Sequence, residues 1–298
     1  MKPIHKNRKM LEMKYQRQAS ELGMIPGLHV IVKLVFEMPL LKRFGLQNAQ
    51  NVGLNEIELQ LKNLPTRFSD CKILFITDMH LGGIECLAER INRIAGQVEY
   101  DYCILGGDYS FGFDATNEVM KEQLREVIEF LVERSQVFGI LGNHDEYRIA
   151  EVLDGFGVKM LINEHVCLER EGDKVYLAGV DDCYFFHAAE LEEAAVGVPD
   201  DAFKIILSHS PELYKQAAQA GYSLYLAGHT HGGQICLPGE IAMITHAHVP
   251  RNMIKGRWKC KSMEGYTSCG AGISLVPARF FCQPEVVVLT LKKDSNTE

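Results

Sequence analysis

An α/β architecture is predicted for this chain by three observations. Short continuous apolar runs alternate with stretches whose apolar residues recur at helical spacing. Five of the apolar runs stop abruptly at Asp, Asn or His, as strands of an α/β sheet do where a ligand binds beyond their carboxyl ends. Hydrophobic residues make up 47% of 298 and charged residues 23%, a balance that supplies a large core and excludes a disordered tail or a disulfide miniprotein.

The elements follow in order. EIELQL, from Glu56, alternates apolar and polar side chains and reads as a half-buried strand. KILFIT (72–77) is continuously apolar after its lysine and suits a strand buried on both faces. Further strands are predicted at 102–105, 137–141, 175–180, 204–208, 224–227 and 286–291. Helices are predicted at 84–95, 116–134, 146–153, 188–195 and 211–220. The second has apolar residues at helical spacing and Thr116 as N-cap. No linker divides residues 51–298, so these form one predicted domain.

Residues 1–50 differ from this body. Residues 1–43 carry nine basic and three acidic side chains, against a whole-chain net charge of −8, so a basic arm precedes an acidic body. The acidic total argues against general nucleic-acid binding. In LHVIVKLVFEMPLLKRF, from Leu28, Lys33, Glu37 and Pro39 interrupt the apolar run well short of a membrane span. Leu28, Ile31, Val32, Val35 and Met38 share one helical side, which suits either peripheral contact with an anionic membrane or packing on the body. With no secretory leader evident, a cytoplasmic location follows, including the cytoplasmic membrane face. Nine cysteines, an odd number without a CxxC pair, read as free thiols in a reducing compartment.

The chemistry collects at the strand ends. KILFIT runs into Asp78-Met79-His80, YCILG into Gly107-Asp108, VFGIL into Gly142-Asn143-His144-Asp145, KIILS into His209, and LYLA into Gly228-His229-Thr230-His231. Asp78, His80, Asp108, Asn143, His209, His229 and His231 are mixed oxygen and imidazole donors, suited to Mn, Fe or Zn rather than to a thiolate-bound structural zinc. Seven donors exceed what one octahedral ion needs. Two ions sharing a carboxylate match better, an arrangement used for phosphoester hydrolysis. Taken singly, Asp-x-His and Gly-Asp are explained as well by caps and turns, and His209 by an ordinary core histidine. GHTHGG is the specific signal, because two imidazoles beside flexible glycines have few structural uses.

In this order, DMH, GGD, GNHD, SH and GHTH resemble the calcineurin-like metallophosphoesterase family over residues 72–234. The later GHTHGGQICLP, CGAG and PARF are similar to a bacterial branch of membrane-associated phosphodiesterases and UDP-2,3-diacylglucosamine hydrolases. The resemblance implies two packed mixed sheets flanked by helices on both outer faces. It implies that Asp78, His80 and His231 bind one divalent ion, that Asn143, His209 and His229 bind a second, and that Asp108 bridges them. It implies that His144 faces the leaving-group oxygen and that Asp145 orients its imidazole. Manganese is the favoured metal. Many members carry a second acid three positions after the bridging aspartate. Here that position is Phe111 and the next acid is Asp114, which puts a supporting hydrogen bond in question.

The substrate is less legible. Arg251, Lys255, Arg257, Lys259 and Lys261 fall within eleven residues, with Trp258 among them, and read either as a cap for a diphosphate or lipid surface or as a solvated basic loop. Arg148, after GNHD, could reach a phosphate or lie on a helix surface, and His246 and His248 are further loop candidates. The expected substrate is an amphiphilic, lipid-linked phosphodiester or diphosphate such as UDP-2,3-diacylglucosamine. The alternatives are a soluble diesterase or monoesterase, and a non-catalytic scaffold on the same fold, which the filled donor set disfavours.

Overall fold

The computed structural model describes residues 8–12, 38–111 and 118–294. In chain order, its helices are α1 Pro39–Gln50, α2 Leu87–Ala95, α3 Glu118–Val132, α4 Tyr147–Gly155, α5 Leu191–Ala194 and α6 Tyr214–Gln219. Its strands are β1 Gly53–Leu61, β2 Lys72–Ile76, β3 Tyr102–Leu105, β4 Gln136–Gly139, β5 Lys159–Met160, β6 Glu164–Arg170 and β7 Asp173–Gly179. They continue with β8 Lys204–Leu207, β9 Leu224–Ala227, β10 Cys236–Leu237, β11 Ile241–Ala242, β12 Gly256–Cys260, β13 Met263–Thr267 and β14 Glu285–Lys293. A short helical segment occupies residues 8–12.

Two six-stranded mixed sheets result. The first has the order β1-β14-β2-β3-β4-β5 and the second β12-β13-β9-β8-β7-β6, with a small β10–β11 hairpin beside them. The period of two along each strand explains the layering. In β14, Val287, Leu289 and Leu291 face the second sheet, where they join Phe75, Phe138, Leu177, Ile205 and Leu226 in one core. Their neighbours Val286 and Val288 face the other way, against Leu87, Ile91, Leu124 and Ile128 of α2 and α3. On the far side of the second sheet, Ile206, Tyr225 and Trp258 pack with Ala217 of α6. The four layers are therefore helix, sheet, sheet, helix, as expected.

Several elements depart from their predicted form. The predicted 84–95 helix, α2, starts at Leu87, behind Cys86 in the left-handed conformation. The predicted 188–195 helix shrinks to Leu191–Ala194. The predicted 211–220 helix divides into a 3-10 turn, Pro211–Leu213, and α6. Thr116 and the apolar stretch 28–37 lie outside the described residues. The cation-rich segment is not a single loop: Arg257 and Lys259 stand on the exposed face of edge strand β12 while Trp258 is buried between them. Charge on an edge strand discourages pairing with other chains, and Lys259 bonds Glu264 across the β12–β13 pair at 2.7 Å. All nine cysteines are free, but Cys86 and Cys167 are exposed. No helix among the described residues is long and apolar enough to cross a membrane.

The first fifty residues also touch the body. α1 lies against the C-terminal segment: Phe44 stacks on Phe280 with ring centroids 6.5 Å apart, and the Asn48 amide donates to the Arg279 carbonyl at 3.0 Å. Arg8 is buried, with no exposed surface.

The inter-sheet core sets stability. Leu289→Ala removes a fully buried side chain facing both sheets and is expected to cost about 2–5 kcal/mol in urea unfolding. Leu40→Ala, at a residue 87% exposed, is expected to stay within about 0.5 kcal/mol of the parent. Equal losses would show that the space between the sheets is not the principal core.

Candidate metal centre

The five polar strand ends meet at one edge of the sandwich. β2, β3 and β4 are parallel neighbours in the first sheet and β8 and β9 in the second, so their carboxyl ends emerge together. Every one of the seven sequence-predicted donors is buried there. Asp78, His80, Asp108, His229 and His231 all have positive φ, between 43° and 70°. The left-handed region is costly for side-chain-bearing residues and clusters at functional sites. Here it folds each chain back sharply, so that the side chain points across the sheet edge.

The donor atoms form two overlapping groups. Asp78, His80 and His231 make one, and Asp78, Asp108 and His209 make the other. Asp108 Oδ2 lies 3.5 Å from His80 Nε2 and 3.2 Å from His209 Nε2. Asp78 Oδ1 lies 3.4 Å from His231 Nε2 and 3.9 Å from His209 Nε2. Thus both carboxylates face imidazoles of both groups. Asn143 Oδ1 joins at 2.7 Å from His229 Nδ1.

These residues fit a cation better than they fit one another. Three of the imidazoles turn one ring nitrogen to a backbone carbonyl: His80 Nδ1 to Ser110 at 3.2 Å, His209 Nδ1 to Gly106 at 2.7 Å, and His229 Nε2 to His246 at 2.9 Å. A carbonyl accepts, so each of those nitrogens carries the proton and the other presents a lone pair. While the rings are neutral, those lone pairs confront Asp108 Oδ2 and Asn143 Oδ1, oxygen against nitrogen with no proton between. A divalent ion resolves that opposition, and so does an extra proton.

The titration behaviour follows the same field. His209 is pushed up to about 10: burial opposes its charge, but the Asp108 and Asp78 carboxylates outweigh it. Burial holds His80 down at about 4. Burial also drives His231 well below its usual value and raises the carboxyl of Asp78. For Asp108, burial pushes upward, yet the imidazoles of His209, His144 and His80 bring its carboxyl well below the usual range.

At this turn, where position 111 is Phe rather than an acid, the Ser110 carbonyl takes the His80 ring proton. Asp145 was expected to orient the His144 imidazole. Its carboxylate accepts from the backbone amides of Asp108 at 2.7 Å, Gly142 at 2.8 Å and Tyr109 at 2.9 Å, and so fixes the loop that bears His144. The His144 amide donates to Asp108 Oδ1 at 2.9 Å. Two glycines permit this closeness: a Cβ on Gly142 would sit 2.1 Å from Asp108 Oδ1, and one on Gly228 would sit 2.2 Å from Asp78 Oδ2.

The sequence-predicted cations are placed otherwise. Arg251 Nη1 donates to the Ala242 carbonyl at 2.8 Å and Lys255 pairs with Glu240, so both grip the β10–β11 hairpin. Arg148 on α4 and Arg257 on β12 are exposed. His248 stacks on Tyr184 at 6.1 Å, and the Tyr184 ring lies 4.3 Å from that of His229. Two buried arginines went unnoticed in the sequence. Arg279, in PARF, donates to the carbonyls of Gly272 at 2.7 Å and Cys269 at 2.6 Å and lies 3.2 Å from His231 Nδ1. Arg8 reaches the GNHD loop. Arg279 lies in a motif that carries the resemblance without a role assigned to it, and Arg8 carries no local signal beyond its charge.

Metal binding should release a proton. His209 is protonated at neutral pH without metal, because its pKa is raised to about 10, and must lose that proton to ligate. Calorimetry in buffers of different ionisation enthalpy should give about one proton per chain near pH 7, with affinity rising about tenfold per pH unit below 10. Binding independent of pH would place the ion elsewhere. Gly228→Ala, which crowds Asp78, should weaken metal affinity about 10–100-fold.

The comparisons with known proteins bear on this arrangement. Residues 71–233 match the calcineurin-like phosphoesterase family. The metallophosphoesterase YkoQ of Bacillus subtilis is 28% identical over 250 residues, covering 80% of this chain and 90% of its own. The phosphodiesterase YaeI of Escherichia coli is 27% identical over 237 residues, covering 74% and 82%. A bovine transmembrane protein with a metallophosphoesterase domain is 29% identical over 296 residues, 91% of this chain and 63% of that longer protein. With more than half of its length matched and the family's motifs gathered at one buried centre, the chain belongs to the calcineurin-like phosphoesterases and is a metal-dependent phosphoester hydrolase.

Proposed function

We propose that the chain hydrolyses phosphodiesters through a dinuclear divalent metal centre, with His144 as the proton donor to the leaving group. One observation carries the reading: the buried carboxylates of Asp78 and Asp108 lie within 3.2–3.9 Å of ring nitrogens of His80, His209 and His231, beside a loop that holds His144 by its amide to Asp108. Asp78, His80 and His231 would hold one ion and Asn143, His209 and His229 the other, with Asp108 between them. When bound, such ions supply an acidified water and neutralise phosphoryl charge. Manganese suits this oxygen and nitrogen donor set and is the ion to load first.

The chain's own residues do the rest. The Asp108 carboxylate ties the His144 backbone to the centre, so the imidazole stays in register with the reacting phosphorus. His144 gives its proton to the departing oxygen, a contribution of about 10²–10⁴-fold. Burial keeps His80 and His231 neutral at working pH and thus available as donors.

The substrate we favour is amphiphilic. Leu237, Ile241, Met243 and Ile244 are exposed on and after the β10–β11 hairpin, which follows the GHTHGG loop directly. Arg251 and Lys255 brace that hairpin from beneath. An apolar rim beside a phosphoester site suits acyl chains at a membrane surface. The soluble-ester reading uses the same metal centre and leaves the rim without a purpose.

Mn-loaded protein and His144→Ala should be compared on UMP release from UDP-2,3-diacylglucosamine in micelles and on a soluble p-nitrophenyl diester. The variant is expected to keep its metal and to lose about 10²–10⁴-fold in turnover only where the leaving oxygen needs a proton, as an alkoxide does, and far less on either of these two esters. Met243→Asp should impair the micellar substrate and spare the soluble one. No hydrolysis of the lipid by active, metal-loaded protein would remove the amphiphilic reading and leave the soluble diesterase.

A further inference from the structure

The GNHD loop is gripped by a residue 134 positions away. Arg8 Nη2 donates to the carbonyls of Gly142 at 3.1 Å and Asp145 at 2.8 Å, the two residues that bracket Asn143 and His144. Its Nη1 meets Asp181 Oδ1 at 2.7 Å, and its Nε meets Glu12 Oε1 at 3.1 Å. The guanidinium carbon lies 3.5 Å from the centre of the Phe186 ring. Glu12 extends the grip by accepting from the Tyr147 amide at 2.6 Å, where α4 begins. Arg8 and Asp181 are both buried, at 0% and 1% exposure.

Burying a guanidinium is expensive unless its donors are met and its charge is balanced. Here the carbonyls and carboxylates supply both. In return, the loop gains a second fixation. The Asp145 carboxylate ties the loop from inside, to the amides of Gly142, Asp108 and Tyr109. Arg8 ties the same loop from outside through its carbonyls. The loop is thus clamped on both sides of His144, and one of the clamps belongs to the N-terminal segment.

We propose that Arg8 is a positioning residue for His144. Through the Gly142 and Asp145 carbonyls it sets where the imidazole stands relative to the leaving-group oxygen, so the N-terminal segment is part of the catalytic architecture. The proposal rests on the phosphodiesterase reading with His144 as proton donor. It adds that proton donation, rather than metal binding, depends on the first residues of the chain. Two of the four groups that Arg8 hydrogen-bonds are backbone atoms of the loop, whereas none is a predicted metal ligand's side chain.

The test uses the full-length, metal-loaded chain and two diesters that differ only in leaving group. One releases p-nitrophenolate, which departs without a proton. The other releases an alkoxide, which needs one. Hydrolysis of the p-nitrophenyl ester by the parent protein checks the phosphodiesterase reading independently. Arg8→Ala is then expected to retain its metal and its KM, keep turnover of the p-nitrophenyl ester within a few fold, and lose about 10²-fold in kcat on the alkyl ester, as a misplaced catalytic group does. Added to His144→Ala, it should cost nothing further on the alkyl ester. Arg8→Lys keeps the charge opposite Asp181 but lacks the fork that reaches both carbonyls. It should fold where Arg8→Ala does not, and show the same leaving-group selectivity. Equal losses on both esters, or a loss fully additive with His144→Ala, would reduce Arg8 to a structural residue and overturn the proposal. Unchanged kinetics in Arg8→Lys and Arg8→Ala would overturn it as well.

Discussion

Everything around the strand ends answers to one constraint, the burial of Asp78 and Asp108 within reach of the same imidazoles. Two carboxylates withdrawn from water are costly unless cations or protons compensate them. In the metal-free chain, His209 compensates by holding a proton up to about pH 10, under the field of Asp108 and Asp78. A pair of divalent ions meets the same demand with chemistry attached. The supporting shell is arranged around that substitution. The carbonyls of Gly106, Ser110 and His246 take one ring proton each from His209, His80 and His229, which turns the remaining lone pairs inward.

The fold makes the burial affordable because it draws the donors from both sheets. No single loop has to fold back on itself to surround the centre. β2, β3 and β4 bring Asp78, Asp108 and Asn143 from one side, and β8 and β9 bring His209 and His229 from the other. The inter-sheet core of Phe75, Phe138, Leu207 and Leu226 lies directly behind those strand ends. A change in sheet spacing would therefore be felt in the distances between donors.

How much of this was legible depends on how local each signal is. The five strand ends were, because a run such as KILFIT followed by Asp-Met-His is written within a few residues. The donor set was legible for the same reason. β6 and β12 were not. EHVCLER and GRWKC interleave charges with apolar residues, and whether Trp258 is buried between Arg257 and Lys259 depends on Tyr225 of β9, a strand far off in the chain. Sequence adjacency does not reveal that three backbone amides converge on the oxygens of Asp145. Arg8 was read as one charge in a basic arm. Its partner Asp181 is 173 residues away, beyond the reach of any periodicity.

Arg8 and Arg279 then emerge as one solution applied twice. Both are fully buried, and both lie outside the stretch 71–233 that matches the family. Each binds backbone carbonyls of a segment at the centre: Arg8 those of Gly142 and Asp145, Arg279 those of Cys269, Gly270 and Gly272 beside His231. The reason lies in the loops. Gly142 and Asp145 lie beyond the end of β4, and Cys269, Gly270 and Gly272 beyond the end of β13, where the strand ladder has stopped and a buried carbonyl needs another donor. Water would satisfy those oxygens at the cost of wetting the site. A guanidinium offers five donors in one rigid plane and satisfies several carbonyls while excluding water. Segments before and after the matched core thus take a specific part in the centre, one arginine for the loop that bears His144 and one for the loop that bears His231.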